Sequence, residues 1–292
     1  MTEADFLARL RTLPLHPGAR GLTDDTATLA GLTITTDTLV EGVHFLPTDP
    51  PQDVAWKLVA TNLSDLAAKG ATVEGILLNY PLGDATWDAA FLDGLTEVLT
   101  SLACPLLGGD TVTLPANAPR ILTVTAFGRD APAPPRSGAK AGDALYVTGT
   151  IGDAGAGLAI ALAGSGDPAL LARYHRPVPR LAEGRALAPH VHAMMDLSDG
   201  LLIDAARMAT ASALAVTIDL ATVPLDRGVT DPLAAATAGD DYELLFAASP
   251  GQPLPVPATR VGTFAAGAGL TLTQDKRLIP LPASLGYQHG LR

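Results

Sequence analysis

The sequence predicts an α/β (α+β) protein of two domains, and three observations carry that expectation. The chain has 292 residues, about twice a usual domain length. Strand-like and helix-like segments are interspersed in both halves. Between the halves lies Asp130-Ala131-Pro132-Ala133-Pro134-Pro135, whose clustered prolines cannot continue a helix or a central strand. The expected domains are residues 1–135 and 136–292.

The elements follow in order. Residues 6–13 place Phe6, Leu7 and Leu10 on one side of a short helix. The polar loop Gly21-Leu22-Thr23-Asp24-Asp25-Thr26-Ala27 precedes a strand at 32–36 that runs directly into Asp37-Thr38. Residues 53–69 read as a helix, with Trp56, Val59, Leu63 and Leu66 at helical steps and Gly70 as its stop. Thr61 and Asp65 lie one turn apart on that helix, off the apolar stripe. A strand at 75–79, a helix at 86–103 and a short strand at 105–107 lead into Gly108-Gly109-Asp110-Thr111, and 120–128 alternates as a strand. The second half opens with a strand at 145–148 and the loop Gly149-Thr150-Ile151-Gly152-Asp153. Helices follow to about 164 and at 181–188, then a strand at 193–196 ending in Asp196-Leu197-Ser198-Asp199-Gly200 before a helix from Leu201. Strands at 216–220, 242–247 and 260–264 and a tail hairpin complete the chain.

Composition narrows the function. The net charge is −11 and aromatics are 4%, so the chain has neither the field nor the stacking surfaces of a nucleic-acid binder. Hydrophobic residues are 48% and charged residues 17%, enough to build a large core. The single cysteine, Cys104, allows no intramolecular disulfide and fits a reducing compartment. No apolar run approaches the ~18 residues of a membrane span. Met1-Thr2-Glu3-Ala4-Asp5 has no basic region leading into an apolar run, so the expected location is the cytoplasm.

Several catalytic signatures are missing. There is no P-loop, no complete dinucleotide fingerprint, no Gly-x-Ser-x-Gly elbow, no His-Glu-x-x-His and no cysteine pair for zinc. What stands out is aspartate, 24 residues against 6 glutamates. Asp24, Asp25, Asp37, Asp65, Asp110, Asp196 and Asp199 lie next to or within two residues of Gly, Thr or Ser, most of them at expected strand-to-loop edges. Taken singly, each is a cap or turn candidate; Asp199-Gly200 could simply start a helix. Taken together they are hard oxygen donors next to small residues that leave room for phosphate, which points to a magnesium-dependent phosphoryl-transfer or nucleotide site.

At the level of whole motifs the chain closely resembles the thiamine-monophosphate kinase family. The resemblance rests on Thr35-Thr36-Asp37-Thr38-Leu39-Val40-Glu41-Gly42-Val43-His44-Phe45-Leu46, Asn62-Leu63-Ser64-Asp65-Leu66-Ala67-Ala68-Lys69-Gly70-Ala71, Gly108-Gly109-Asp110-Thr111 and Arg136-Ser137-Gly138-Ala139. It continues through Val147-Thr148-Gly149-Thr150-Ile151-Gly152-Asp153, Asp196-Leu197-Ser198-Asp199-Gly200-Leu201 and Asp241-Tyr242-Glu243-Leu244. It implies an N-terminal domain that dimerises through its sheet, a larger C-terminal α/β domain, and ATP between them. Asp25, Thr35, Thr36, Asp37, Asp65, Asp110, Asp196 and Asp199 would then be ligands of several magnesium ions. Gly109, Asp110, Arg136 and Ser198 would contact ATP; His44, Asp240 and Tyr287 would contact thiamine monophosphate. The expected partners are these two substrates and a second copy of the chain, with no nucleic acid and no membrane. The acceptor phosphate is already ionised near neutral pH, so no side chain is expected to act as general base.

Three positions depart from the family pattern: Thr23 replaces a glycine, Asp240 a glutamate, and the tail reads Gly286-Tyr287-Gln288-His289-Gly290, which weakens the role implied for Tyr287. Related readings are an aminoimidazole ribonucleotide or selenophosphate synthetase of the same superfamily, or a non-catalytic acidic module that binds metal or nucleotide. Cys104 lies before Gly108 and not in the N-terminal loop that a selenophosphate synthetase would use.

Overall fold

The computed structural model describes residues 3–289, so Gly290 of the tail motif lies outside the described residues. Two sheets divide the mixed α/β chain. The first half runs α1 (Glu3–Leu10), a 3-10 segment (Pro17–Leu22), β1 (Ala27–Leu29), β2 (Leu32–Val40), α2 (Pro51–Ala68), β3 (Thr72–Leu82), α3 (Ala85–Ser101), β4 (Leu106–Thr113) and β5 (Ile121–Arg129). Its sheet has the order β1-β2-β5-β3-β4; β3 and β4 are parallel and the other neighbours antiparallel. Leu122, Val124 and Ala126 alternate along β5 toward one face, where they share a buried cluster with Leu58 and Leu63 of α2 and Phe91 and Val98 of α3.

The second half comprises β6 (Ala144–Val147), α4 (Asp153–Ala163), α5 (Pro168–His175), α6 (Leu181–Leu187), β7 (Ala193–Asp196), α7 (Leu201–Ala211), β8 (Leu214–Asp219), α8 (Pro232–Thr237), β9 (Leu244–Ala248), β10 (Thr259–Ala266), β11 (Gly269–Gln274) and β12 (Arg277–Ile279). Its sheet order is β12-β11-β8-β10-β6-β9-β7. Leu201, Leu202, Ala205 and Met208 turn one face of α7 into the core beneath this sheet.

Helix α2 is the joint between the halves. It packs on the first sheet and α3, and also on α6 and β7 of the second half, so it is buried almost all round. Proline at its first position favours the start. At its end Gly70 takes φ +66° while Ala71 N–H reaches the Leu66 carbonyl at 3.0 Å. Polar residues on this helix are therefore buried and must be paired. Asn62 donates to the Leu58 carbonyl at 2.9 Å and accepts from the Asp37 N–H at 2.9 Å, tying α2 to the middle of β2.

Several strands are longer than the sequence suggests, β3 among them, and in two the difference matters. β2 continues through Asp37 and Thr38 to Val40, and β4 runs through Gly108, Gly109 and Asp110. Pairing with β5 and β3 overrides the low strand preference of Asp and Gly. These aspartates are strand residues and not loop-edge residues. The first helix lies nearer the N-terminus than expected. The strand expected from Tyr242 begins at Leu244, because Tyr242 takes φ +52°. Helix α5 is an addition, capped by Asp167, which accepts from the Ala169 N–H at 2.8 Å; β1 and α8 are additions too. The tail hairpin is β11 with β12.

Candidate functional site

Three carboxylates from distant parts of the chain meet between the halves. Asp25 precedes β1, Asp65 lies on α2, and Asp196 ends β7. One oxygen of each lies within 4.8 Å of the others. Burial first, and then the neighbouring aspartate charges, push Asp65 well above the usual carboxylate range and Asp196 up to about 8. Asp37 is pushed up to about 6 by burial and by the charges of Asp25 and Asp199. Asp25 goes the other way. Burial would raise it, but Lys69 and Arg136 overcome that and bring it down to about 2. The fully buried Lys69 ammonium lies 2.5 Å from Asp24 and 2.7 Å from Asp25, and Arg136 pairs with the other Asp25 oxygen. The cluster thus holds more carboxylates than its two cations can pair, and its donors are hard oxygens.

A cleft opens from the cluster in two lobes that share Asp25, Thr36, Asp37, Asp65, Arg136 and Arg207. One lobe, of about 880 Å³, is walled by His44, Ser198, Asp199, Asp240, Tyr242 and Tyr287. The other, of about 1120 Å³, is lined by apolar Leu22, Ile34, Ile203 and Leu285 with polar Ser137 and Gln288, and Leu7 borders both.

Most of the expected site residues are brought together here. Thr35 donates its hydroxyl to Asp65, and the Thr36 hydroxyl donates to the Val124 carbonyl at 3.0 Å. Ser198 and Asp199 lie in the loop between β7 and α7, where Arg207 pairs with Asp199 and with the fully buried Asp204 at 2.8 Å. His44 Nδ1 accepts from the Val40 N–H at 2.9 Å. Burial and the nearby His289 ring, centred 5.4 Å away, hold its pKa below the ordinary histidine value. Tyr287 reaches the same lobe, held by its N–H on the Asp199 carbonyl at 2.9 Å.

Gly109 and Asp110 stand apart from the cluster. They lie on β4 and line neither lobe. Cross-strand pairing runs from Asp37 through Val124 and Leu78 to Gly109, three strand spacings or about 14 Å. Gly109 also has a packing reason to be glycine: φ is +154° and a Cβ would fall 1.8 Å from the Leu78 carbonyl oxygen.

Sequence reasoning overlooks Lys57, Lys69, Arg207 and His289. A lysine or arginine on a helix gives no sign that a distant aspartate will pair with it. Asp241 and Glu243 of the second-half motif serve the frame. Asp241 accepts the Gly152 N–H at 2.7 Å at the start of α4, and Glu243 joins Arg180 to the Thr148 hydroxyl, 2.6 Å away.

Two sheet-bearing halves closing an acidic cleft define the class. Residues 23–129 match the N-terminal domain of AIR synthase related proteins and residues 140–268 the C-terminal domain. Thiamine-monophosphate kinase of Caulobacter vibrioides is 38% identical over 99% of this chain and 91% of its own length. That of Escherichia coli K12 is 42% identical over 77% of this chain and 75% of its own. Among solved structures, AaThiL complexed with AMPPCP and TMP superposes with a TM-score of 0.86 at 27% identity, covering 99% of this chain and 97% of that one. The Stenotrophomonas maltophilia thiamine-monophosphate kinase gives 0.76 at 35% identity, covering 94% and 96%. The chain belongs to the thiamine-monophosphate kinase family.

Proposed function

We propose that the chain transfers the γ-phosphoryl group of ATP directly and in line to the phosphate of thiamine monophosphate, giving thiamine diphosphate and ADP. The observation that carries this reading is the convergence of Asp25, Asp65 and Asp196 from both halves at the junction of two lobes. Such a junction suits two polyanions that must approach head to head. The lobe with His44, Asp240 and Tyr287 takes thiamine monophosphate. The lobe with Leu22, Ile34 and Ile203 takes the nucleotide; Arg136 reaches its phosphates from the shared junction, and Ser198 from the facing wall of the other lobe. AaThiL complexed with AMPPCP and TMP supports the choice of substrates.

The donor set fits magnesium: carboxylate and hydroxyl oxygens, no sulfur, and buried carboxylates that have no cation of their own. Asp25, Thr35, Thr36, Asp37, Asp65, Asp196 and Asp199 would hold it, and when bound it neutralises phosphate charge between the substrates. The remaining work falls to the chain. Arg136 and Arg207 present guanidinium groups at the junction, and His44 and Tyr287 hold the acceptor. The acceptor phosphate is its own nucleophile, so no side chain has to remove a proton.

We assign residues 1–135 to a domain that supplies most of the acidic cluster and residues 136–292 to one that completes the site. We further propose a homodimer formed through the first sheet, where Leu77, Leu106, Leu107, Val112 and Ile121 are exposed. In that arrangement Gly109 and Asp110 serve the partner's cleft. No single helix among the described residues is long and apolar enough to cross a membrane, and we place the enzyme in the cytoplasm. Cys104, buried and pushed up to about 11 by that burial, is no candidate for selenium chemistry.

The decisive assay supplies ATP, magnesium and thiamine monophosphate and follows ADP and thiamine diphosphate. Equal appearance of both products is expected, with Asp196→Asn inactive. ADP without thiamine diphosphate, or magnesium and nucleotide binding without turnover, would overturn the reading.

A further inference from the structure

Lys57 projects from α2 with its side chain 3% exposed. Its ammonium touches three separate parts of the chain. It lies 2.7 Å from Asp240 Oδ2, donates to the His44 carbonyl at 3.1 Å, and stands 4.2 Å from the centre of the Tyr174 ring. A buried lysine is costly to keep charged, and each of these contacts offsets part of that cost. Asp240 in turn is fixed on both oxygens, since Tyr242 donates its hydroxyl to Oδ1 at 3.1 Å. Its side chain stays 32% exposed and faces the lobe. Its backbone takes φ +71°, which a residue with a Cβ rarely adopts unless its surroundings hold it there.

We infer that Lys57 is a positioning residue for the acceptor: one ammonium locks the His44 segment of the first half to the Asp240 loop of the second, and so sets the width and charge of the acceptor lobe. The inference rests on reading that lobe as the thiamine monophosphate lobe. Thiamine carries a thiazolium cation, and a carboxylate fixed at the wall complements it. Lys57 leaves Asp240 no freedom to swing away, while its own charge stays behind the wall. The nucleotide lobe contains neither residue, so the effect belongs to the acceptor.

The test compares Lys57→Met, Lys57→Arg, Asp240→Asn and the Lys57→Met/Asp240→Asn double variant. Each is measured for kcat, the KM of thiamine monophosphate, the KM of ATP and Tm. Loss of a charge-assisted contact predicts a thiamine monophosphate KM about ten-fold higher in Lys57→Met. The ATP KM and kcat should stay within about two-fold, and Lys57→Arg should recover most of the loss. The double variant should be no worse than the worse single, because the two residues act as one unit. An unchanged thiamine monophosphate KM, an equal rise in both KM values, or additive effects would overturn the inference. If Lys57→Met does not fold, Asp240→Asn must show the selective rise and Lys57→Arg must not; any other pattern overturns it. Wild-type enzyme runs in the same series, so absent wild-type turnover would count against the proposed function and not against Lys57.

Discussion

Asp37 on β2 and Asp110 on β4 belong to one sheet, three strand spacings apart, and their side chains leave it on opposite faces. The pairing row of Asp37 ends at Gly109, one residue short of Asp110, and neighbours along a strand alternate sides. Asp37 shares the face of Val124, beneath the helices. Asp110 shares the open face. If both serve one reaction, Asp110 must act in a second copy of the chain.

Mixing two inactive variants tests this. Asp37→Asn and Asp110→Asn should each lose activity alone. After denaturation and co-refolding, half the dimers are mixed, and each mixed dimer has one site with both aspartates intact. About a quarter of wild-type activity should return, by the arithmetic of a two-fold interface. No recovery in a sample shown to contain mixed dimers would place both residues in separate roles.

Asp37→Asn should also stabilise the metal-free protein. Its pKa rises from 3.8 to about 6 on folding, so the folded state binds the proton more tightly than the unfolded chain. The charged carboxylate therefore disfavours folding above that range, by up to about 3 kcal/mol at 1.36 kcal/mol per unit. In chelator at pH 7.5 the variant should melt higher than wild type, and the gap should vanish near pH 4. Magnesium should raise the wild-type Tm more than the variant's. A variant that melts lower in chelator would contradict the account of charge repulsion.

How much of this site was legible in the sequence follows from particular residues. Thr61 and Asp65, one turn apart on a helix, and Asp196, at a strand end, are set by local spacing, and the structure has them there. Asp37 and Asp110 read as loop edges because Asp and Gly are poor strand formers. Only partner strands reveal otherwise. The burial of α2 on nearly all sides has no signature in its own periodicity, since the second half supplies the extra cover. Lys57 finds Asp240 183 residues away, a pairing that no local pattern encodes. The signal for α5 was present in Asp167-Pro168, but eight residues are too few for helical spacing to be persuasive.

His44→Ala should act on binding. The ring lies in the acceptor lobe, and its Nδ1 is occupied by the Val40 N–H, which leaves only Nε2 for a ligand. Burial keeps the ring neutral near physiological pH. A several-fold higher KM for thiamine monophosphate, with kcat at saturation nearly unchanged, is the expected result. A large fall in kcat that imidazole restores would instead mark His44 as a proton acceptor.

Lys69→Met probes the cation behind the cluster. The ammonium is fully buried, holds Asp24 at 2.5 Å and Asp25 at 2.7 Å, and donates to the carbonyls of Met194 at 3.1 Å and Pro134 at 3.4 Å. It therefore joins the N-terminal loop, the proline-rich connection and β7 at one point. Methionine fills similar volume but leaves two buried carboxylates short of a partner, a type of loss that costs about 3–5 kcal/mol. Arg20, 2.9 Å from Asp24, and Arg136, paired with Asp25, remain, so about 3 kcal/mol is the expected loss at pH 7.5. The pH dependence has a definite sign. In wild type Asp25 stays ionised down to about 2, so its contribution is constant between pH 8 and 5. Without Lys69 its folded pKa rises, and the variant gains stability as pH falls and Asp25 takes up a proton. Urea unfolding at pH 7.5 and pH 5 should show the gap narrowing at the lower pH. A loss under about 1 kcal/mol, or a gap that widens in acid, would mean that Lys69 contributes packing and not charge.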